Sequence, residues 1–98
     1  MAMYVTLYKF TAQGIRDLHG SPDRVNQAIQ AAERAGIKVL SVLYTQGQYD
    51  LVTVSEAPSD EAAMGFTLAT VMRGNVTSES MKAFTADEFR AILGKISA

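Results

Sequence analysis

The side chains best suited to chemistry sit in two polar connections and at alternating positions of apolar runs. Tyr49-Asp50 follows Gln46-Gly47-Gln48 and opens the run Leu51-Val52-Thr53-Val54. In a strand Asp50 shares a face with Val52 and Val54. A carboxylate among apolar neighbours loses solvation, gains basicity and becomes a candidate general base. In a turn the same Asp accepts backbone N–H bonds and needs no catalytic role. His19 is the single imidazole of the chain, with Arg16 and Asp17 close by in the same connection. An imidazole shuttles protons near neutral pH, a guanidinium grips a carboxylate, and a neighbouring Asp orients the ring. A solvated loop accounts for these three residues equally well.

Four tyrosines form a second constellation. If Tyr4 and Tyr8 share a strand face while Tyr44 and Tyr49 meet at a hairpin, their hydroxyls ring an apolar cavity and orient an aromatic ligand. Packing is the plainer use of such residues, and the same holds for Met64, Phe66, Met72 and Met81. One His without Cys makes a protein-only zinc site unexpected. The chain has no phosphate loop, dinucleotide fingerprint, Gly-x-Ser-x-Gly elbow or metalloprotease helix motif, so no cofactor is implied.

The elements that must position these groups follow from periodicity. Met3 to Phe10 alternates Tyr4, Thr6, Tyr8 and Phe10 with Met3, Val5, Leu7 and Lys9, as a strand does. Thr11 to Gly20 is a polar connection in which Ile15 and Leu18 suit one short helical turn. Ser21-Pro22 reads as a cap and first turn, followed by Val25, Ala28, Ile29 and Ala32 on one helical face and a stop at Gly36. Ile37 to Glu56 reads as a β-hairpin bent at Gly47. After Ala57-Pro58-Ser59-Asp60 a second helix runs to Arg73, with Ala62, Phe66 and Ala69 inward and Gly74 as its end. Asn75 to Phe84 is a polar strand suited to a sheet edge. Thr85-Ala86-Asp87-Glu88 is a capping box, and Phe89, Ile92, Leu93 and Ile96 form the apolar stripe of a last helix that needs a docking surface.

This order, β-α-β-β-α-β plus a terminal helix, predicts an α+β ferredoxin-like fold. A four-stranded antiparallel sheet carries two helices on one face, all in one domain over residues 1–98. The second strand then lies at an edge with apolar residues on both faces. Either Leu40, Val42 and Tyr44 or Ile37, Val39 and Leu43 would meet solvent, each forgoing roughly 1.5–3 kcal/mol. A second copy covering the open face is the economical answer, so a homodimer is expected, with assembly into a higher oligomer left open.

Composition bounds the rest. With 9 Lys+Arg against 10 Asp+Glu and no basic run, nothing suits a phosphate backbone, and nucleic acid is not an expected partner. Zero Cys removes disulfides and thiolate chemistry and fits a reducing compartment. The start Met-Ala-Met-Tyr-Val enters a strand without a leader pattern, and no segment has membrane-spanning length. A cytoplasmic protein without a membrane partner is expected.

Several stretches resemble the GYD-domain family. They are Gly47-Gln48-Tyr49-Asp50, Thr11-Ala12-Gln13-Gly14-Ile15, Ser21-Pro22-Asp23-Arg24, Glu56-Ala57-Pro58, Gly74-Asn75-Val76 and Ala83-Phe84-Thr85. The resemblance implies a dimeric α/β-barrel in which two ferredoxin-like sheets face each other. It brings no reaction with it. The wider barrel superfamily holds cofactor-independent oxygenases, haem-binding enzymes and lactone isomerases beside effector-binding domains, so fold membership cannot choose among them. Two functions follow as expectations. One is a small homo-oligomeric protein binding an apolar or aromatic small molecule, through Tyr4, Tyr8, Arg16, Tyr44 and Tyr49. The other is a cofactor-independent oxygenase or isomerase with His19 or Asp50 as catalytic base.

Overall fold

The structure is a computed structural model that describes residues 1–96. Its elements are β1 (Ala2–Phe10), α1 (Ala12–Arg16), a 3-10 turn (Leu18–Gly20), α2 (Ser21–Arg34), β2 (Lys38–Tyr44), β3 (Leu51–Ala57), α3 (Asp60–Val71), β4 (Val76–Ala83) and α4 (Ala86–Leu93). The strands form one antiparallel sheet in the order β2-β3-β1-β4. This is the ferredoxin-like arrangement expected from the sequence, with β2 and the polar β4 at the two edges.

Register decides which side chains share a face. Tyr4 lies opposite Ser55 and Lys82, Thr6 opposite Thr53 and Ser80, and Tyr8 opposite Leu51 and Ser78. Directly opposed residues point to the same side, so these rows make one face. α2 and α3 lie over it, and the core of Tyr4, Ala32, Ile37 and Ala57, with Val39, Ala63 and Phe66 against it, forms between them. The other face carries Met3, Val5, Leu7 and Lys9 with Val52, Val54, Glu56, Glu79 and Met81, and it points away from α2 and α3.

β2 departs from strict alternation. A bulge between Val39 and Ser41 inserts Leu40, so Val39, Val42 and Tyr44 pair opposite Ser55, Thr53 and Leu51 on the helix side. Neither of the two predicted residue sets is therefore the exposed one. Ile37 is buried, whereas Leu40 and Leu43 are 41% and 61% exposed. One inserted residue lets Val39 and Val42, three positions apart, serve the same core.

Other local differences have plain causes. The link between β2 and β3 spans residues 45–50 rather than a tight turn, and Gly47 supplies its positive φ of 120°. The predicted polar connection after β1 is largely helical, because the Thr11 hydroxyl accepts from Gly14 N and starts α1. Ser21 is inside α2 and does not cap it. Gly20 holds the cap position, and the Ser21 hydroxyl bonds the Tyr44 hydroxyl at 2.9 Å. Ser59 does cap α3, accepting from Ala62 N, but α3 ends at Val71 and Ala69 faces solvent. The capping box of α4 forms as expected, with Glu88 N on Thr85 Oγ1 at 3.1 Å and Thr85 N on Glu88 Oε1 at 2.8 Å. The stripe of Phe89, Ile92, Leu93 and Ile96 is exposed.

Candidate functional site

The helix-covered face of the sheet is unusually rich in hydroxyls. β1 contributes Tyr4, Thr6 and Tyr8, β3 contributes Thr53 and Ser55, and β4 contributes Ser78 and Ser80. These side chains, the Ser and Thr ones short, lie under Ala63, Met64, Thr67 and Leu68 of α3 and leave a cleft of about 440 Å³ between floor and roof. Thr6 Oγ1 and Ser80 Oγ share a hydrogen bond at 3.0 Å. At one end the Tyr4 hydroxyl donates to Asp60 Oδ1, and Lys82 Nζ lies 3.3 Å from the same oxygen.

Electrostatics keep that floor neutral. The hydrogen bond to the Asp60 carboxylate, with burial second, pushes the Tyr4 phenol up to about 12. Tyr8 is raised by burial, against hydrogen bonds to Thr53 and Thr6 that oppose it. Both tyrosines therefore keep their protons and act as donors at any physiological pH. The Tyr4 hydrogen bond, and after it Lys82, hold the Asp60 carboxyl below its ordinary range. Asp60 also opens α3, where the helix dipole favours a negative charge.

A second, smaller cavity of about 100 Å³ adjoins the cleft, and Tyr8, Thr53 and Phe66 line both. Val25, Ala28 and Ile29 of α2 and Val39 and Val42 of β2 make its apolar wall. Arg24 and Arg73 also line it, and no Asp or Glu does. Arg24 Nη1 donates to the Asp17 carbonyl at 2.8 Å and to Asp17 Oδ2 at 3.0 Å. Its other terminal nitrogen, Nη2, is buried and has no hydrogen-bond partner among the described residues.

Of the residues singled out in the sequence, Tyr4 and Tyr8 meet in the cleft. Tyr44 reaches only the start of α2, through Ser21. Tyr49 points to the opposite sheet face, where its hydroxyl donates to Glu79 Oε2 at 2.6 Å and Lys9 Nζ sits 5.4 Å from its ring centroid. That acceptor raises the Tyr49 phenol. Asp50 precedes β3, and its Oδ2 accepts from Phe10 N at 2.9 Å while its own N–H donates to the Tyr8 carbonyl at 2.8 Å. His19 and Arg16 are exposed, Asp17 pairs with Arg24, and neither His19 nor Asp50 lines the cleft or the cavity. Among the described residues no group of three or more His, Cys, Asp or Glu side chains is placed to hold a metal ion.

Sequence reasoning passed over Thr6, Thr53, Ser55, Ser78, Ser80, Arg24, Asp60 and Lys82 as site residues. The polar alternation of β4 was a usable signal, since Ser78, Ser80 and Lys82 fall in step with Tyr8, Thr6 and Tyr4 once register is known. Nothing in the sequence pointed to Arg24.

No curated protein and no solved structure matches this chain. A family model described as the GYD domain matches residues 4–93, a span that runs from the first floor residue, Tyr4, through all four strands to the end of α4. The chain therefore belongs to the GYD-domain family.

Proposed function

We propose that this protein binds a small, largely apolar or aromatic molecule between its sheet and its helices. The observation that carries the reading is the cleft of about 440 Å³ with hydroxyls below and α3 above. That size lies within the roughly 300–1,000 Å³ range of small-molecule sites, and the mix of many apolar atoms with a few fixed donors matches their chemistry. Protonated Tyr8 and the Thr and Ser rows supply hydrogen bonds to carbonyl or hydroxyl oxygens, Tyr4 being committed to Asp60, while Phe66, Met64 and Leu68 take the hydrocarbon. A binding role is favoured over proton-transfer catalysis because Asp50 is committed to Phe10 N and His19 lies outside the lining. The assembly we propose is a homodimer through the open sheet face. Its apolar centre of Val5, Leu7, Val52, Val54 and Met81 is flanked by Lys38 opposite Glu56 and by Lys9 near Glu79.

Titration with the neutral apolar fluorophore N-phenyl-1-naphthylamine tests the ligand reading. Enhanced emission is expected with the native protein. Ser80→Trp, which fills the floor from an exposed edge position, is expected to weaken binding roughly tenfold or more. An unchanged titration in that variant would mean the dye sits elsewhere and would count against the cleft.

A further inference from the structure

Between Glu61 and Arg73 the α3 segment carries no charged residue, and its solvent side shows Met64, Gly65, Leu68, Ala69 and Met72, the last of them 83% exposed. A surface helix ordinarily turns polar residues outward, and one that is apolar all round belongs in a buried setting. α4 has a face of the same kind. Its Phe89, Ile92 and Leu93, with Ile96 just beyond, are exposed, and among the described residues it makes no extended contact with another element. The two faces agree in length and relief. Met64 to Met72 spans about 12 Å along α3 and Phe89 to Ile96 roughly 10 Å, at ~1.5 Å per residue. Gly65 and Ala69 leave a groove between the larger side chains, and a Cβ at Gly65 would meet nothing within 4 Å.

We propose that α4 of one copy of this chain docks antiparallel on the solvent face of α3 of a second copy. Docked this way, Phe89 meets Met72 and Ile96 meets Met64, which brings Glu88 beside Arg73 and Lys95 beside Glu61 and opposes the two helix dipoles. The chain's own α4 cannot do this. Lys82 near the end of β4 pairs with Asp60 at the start of α3, so α3 runs opposite to β4 and α4 begins at the N-terminal end of α3. Folded back, α4 would run parallel to α3 and stack Asp87 and Glu88 on Asp60 and Glu61. The link from Ala83 to Ala86 also reaches about 11 Å at most, whereas a helix seated outside α3 lies roughly 18–20 Å above the sheet. A membrane surface suits the stripe less, because Asp87 and Glu88 rim it and Arg90 is tied to Asp87. Four side chains on two helical turns fall well short of the ~1,200–2,000 Å² of a stable interface, so the contact forms at high concentration and is separate from the sheet-face pairing proposed above. Met64 and Leu68 also line the cleft, which places the docked helix at its rim.

Sedimentation of the full chain across a concentration series tests the contact. The mass is expected to rise above two chains per particle between about 10 μM and about 1 mM. Leu68→Glu, and separately a chain ending at Phe84 and so lacking α4, are expected to abolish the rise. If either fails to fold, the exposed pair Glu61 and Lys95 serves instead: Glu61→Lys and Lys95→Glu are each expected to weaken association about threefold, and the two together to restore it. A mass that stays constant up to about 1 mM, or association that survives both Leu68→Glu and the loss of α4, would overturn the docking. A double charge reversal that fails to recover what the single ones lose would overturn its antiparallel sense. Val54→Lys separates this contact from the sheet-face pairing, since the same rise is then expected to start from one chain. A native protein that starts from one chain and still associates through α4 would overturn the sheet-face pairing alone.

Discussion

Asp50 illustrates how one residue type serves two purposes that a sequence cannot separate. A carboxylate at the mouth of a strand is equally a base or a backbone acceptor, and the position of Phe10 N at 2.9 Å makes it the second. Asp50→Ala leaves that N–H without its partner and is expected to cost about 1–3 kcal/mol, with Asp50→Asn nearer native, read from urea midpoints. Tyr4 and Asp60 give a pH signature. The Tyr4 phenol is raised from 10.0 to about 12, so its contribution to stability is complete below 10.0 and disappears as pH rises through 12. Asp60 is depressed below 3.8, so its contribution is present above 3.8 and is lost as pH falls through the lowered value. The stability gap between the native protein and Tyr4→Phe is therefore expected to hold steady between those limits and to narrow beyond each, in urea titrations run across pH. Tyr4 and Tyr8 were legible as a pair because strand alternation alone puts them together. Tyr49 was not, since a six-residue link hides which face it joins.

The elements were read from capping and periodicity, and where these signals are local they held. Thr85 and Glu88 are three apart and complete their box without help from the rest of the chain. Thr85→Ala is expected to lower stability by about 1 kcal/mol or less, since α4 is exposed, and to reduce helical circular dichroism. Ser21 failed as a cap because a distant hydroxyl, that of Tyr44, competes for it, and no local pattern reports a partner in β2. The β2 bulge escaped notice for the same reason, since β3 register decides it. α1 is held by a close approach that sequence spacing does not reveal. A Cβ at Gly14 would meet the Asn75 carbonyl oxygen at 2.1 Å. Gly14→Ala is expected to cost roughly 1–3 kcal/mol by displacing α1 or the start of β4, measured by thermal melting.

For the whole molecule, the layer order was readable, but the space between layers was not. Sequence patterns identify which residues turn inward, whereas the gap under α3 depends on small floor residues from three strands aligning below one helix. The open face also follows from the layer count, because two helices cover one side of a four-stranded sheet. Light scattering is expected to report twice the 10.6 kDa chain mass at micromolar concentration. Val54→Lys, at the centre of the open face, is expected to shift that mass to a single chain while leaving the circular dichroism spectrum near native.

Tyr8, Thr53 and Phe66 line both the cleft and the smaller cavity, so the two spaces share these three walls. On the proposed binding role, these shared walls make guest length, more than guest shape, the quantity to which occupancy answers. Guests short enough for one space are then expected to load two per chain, and a guest long enough to turn Phe66 aside to load one.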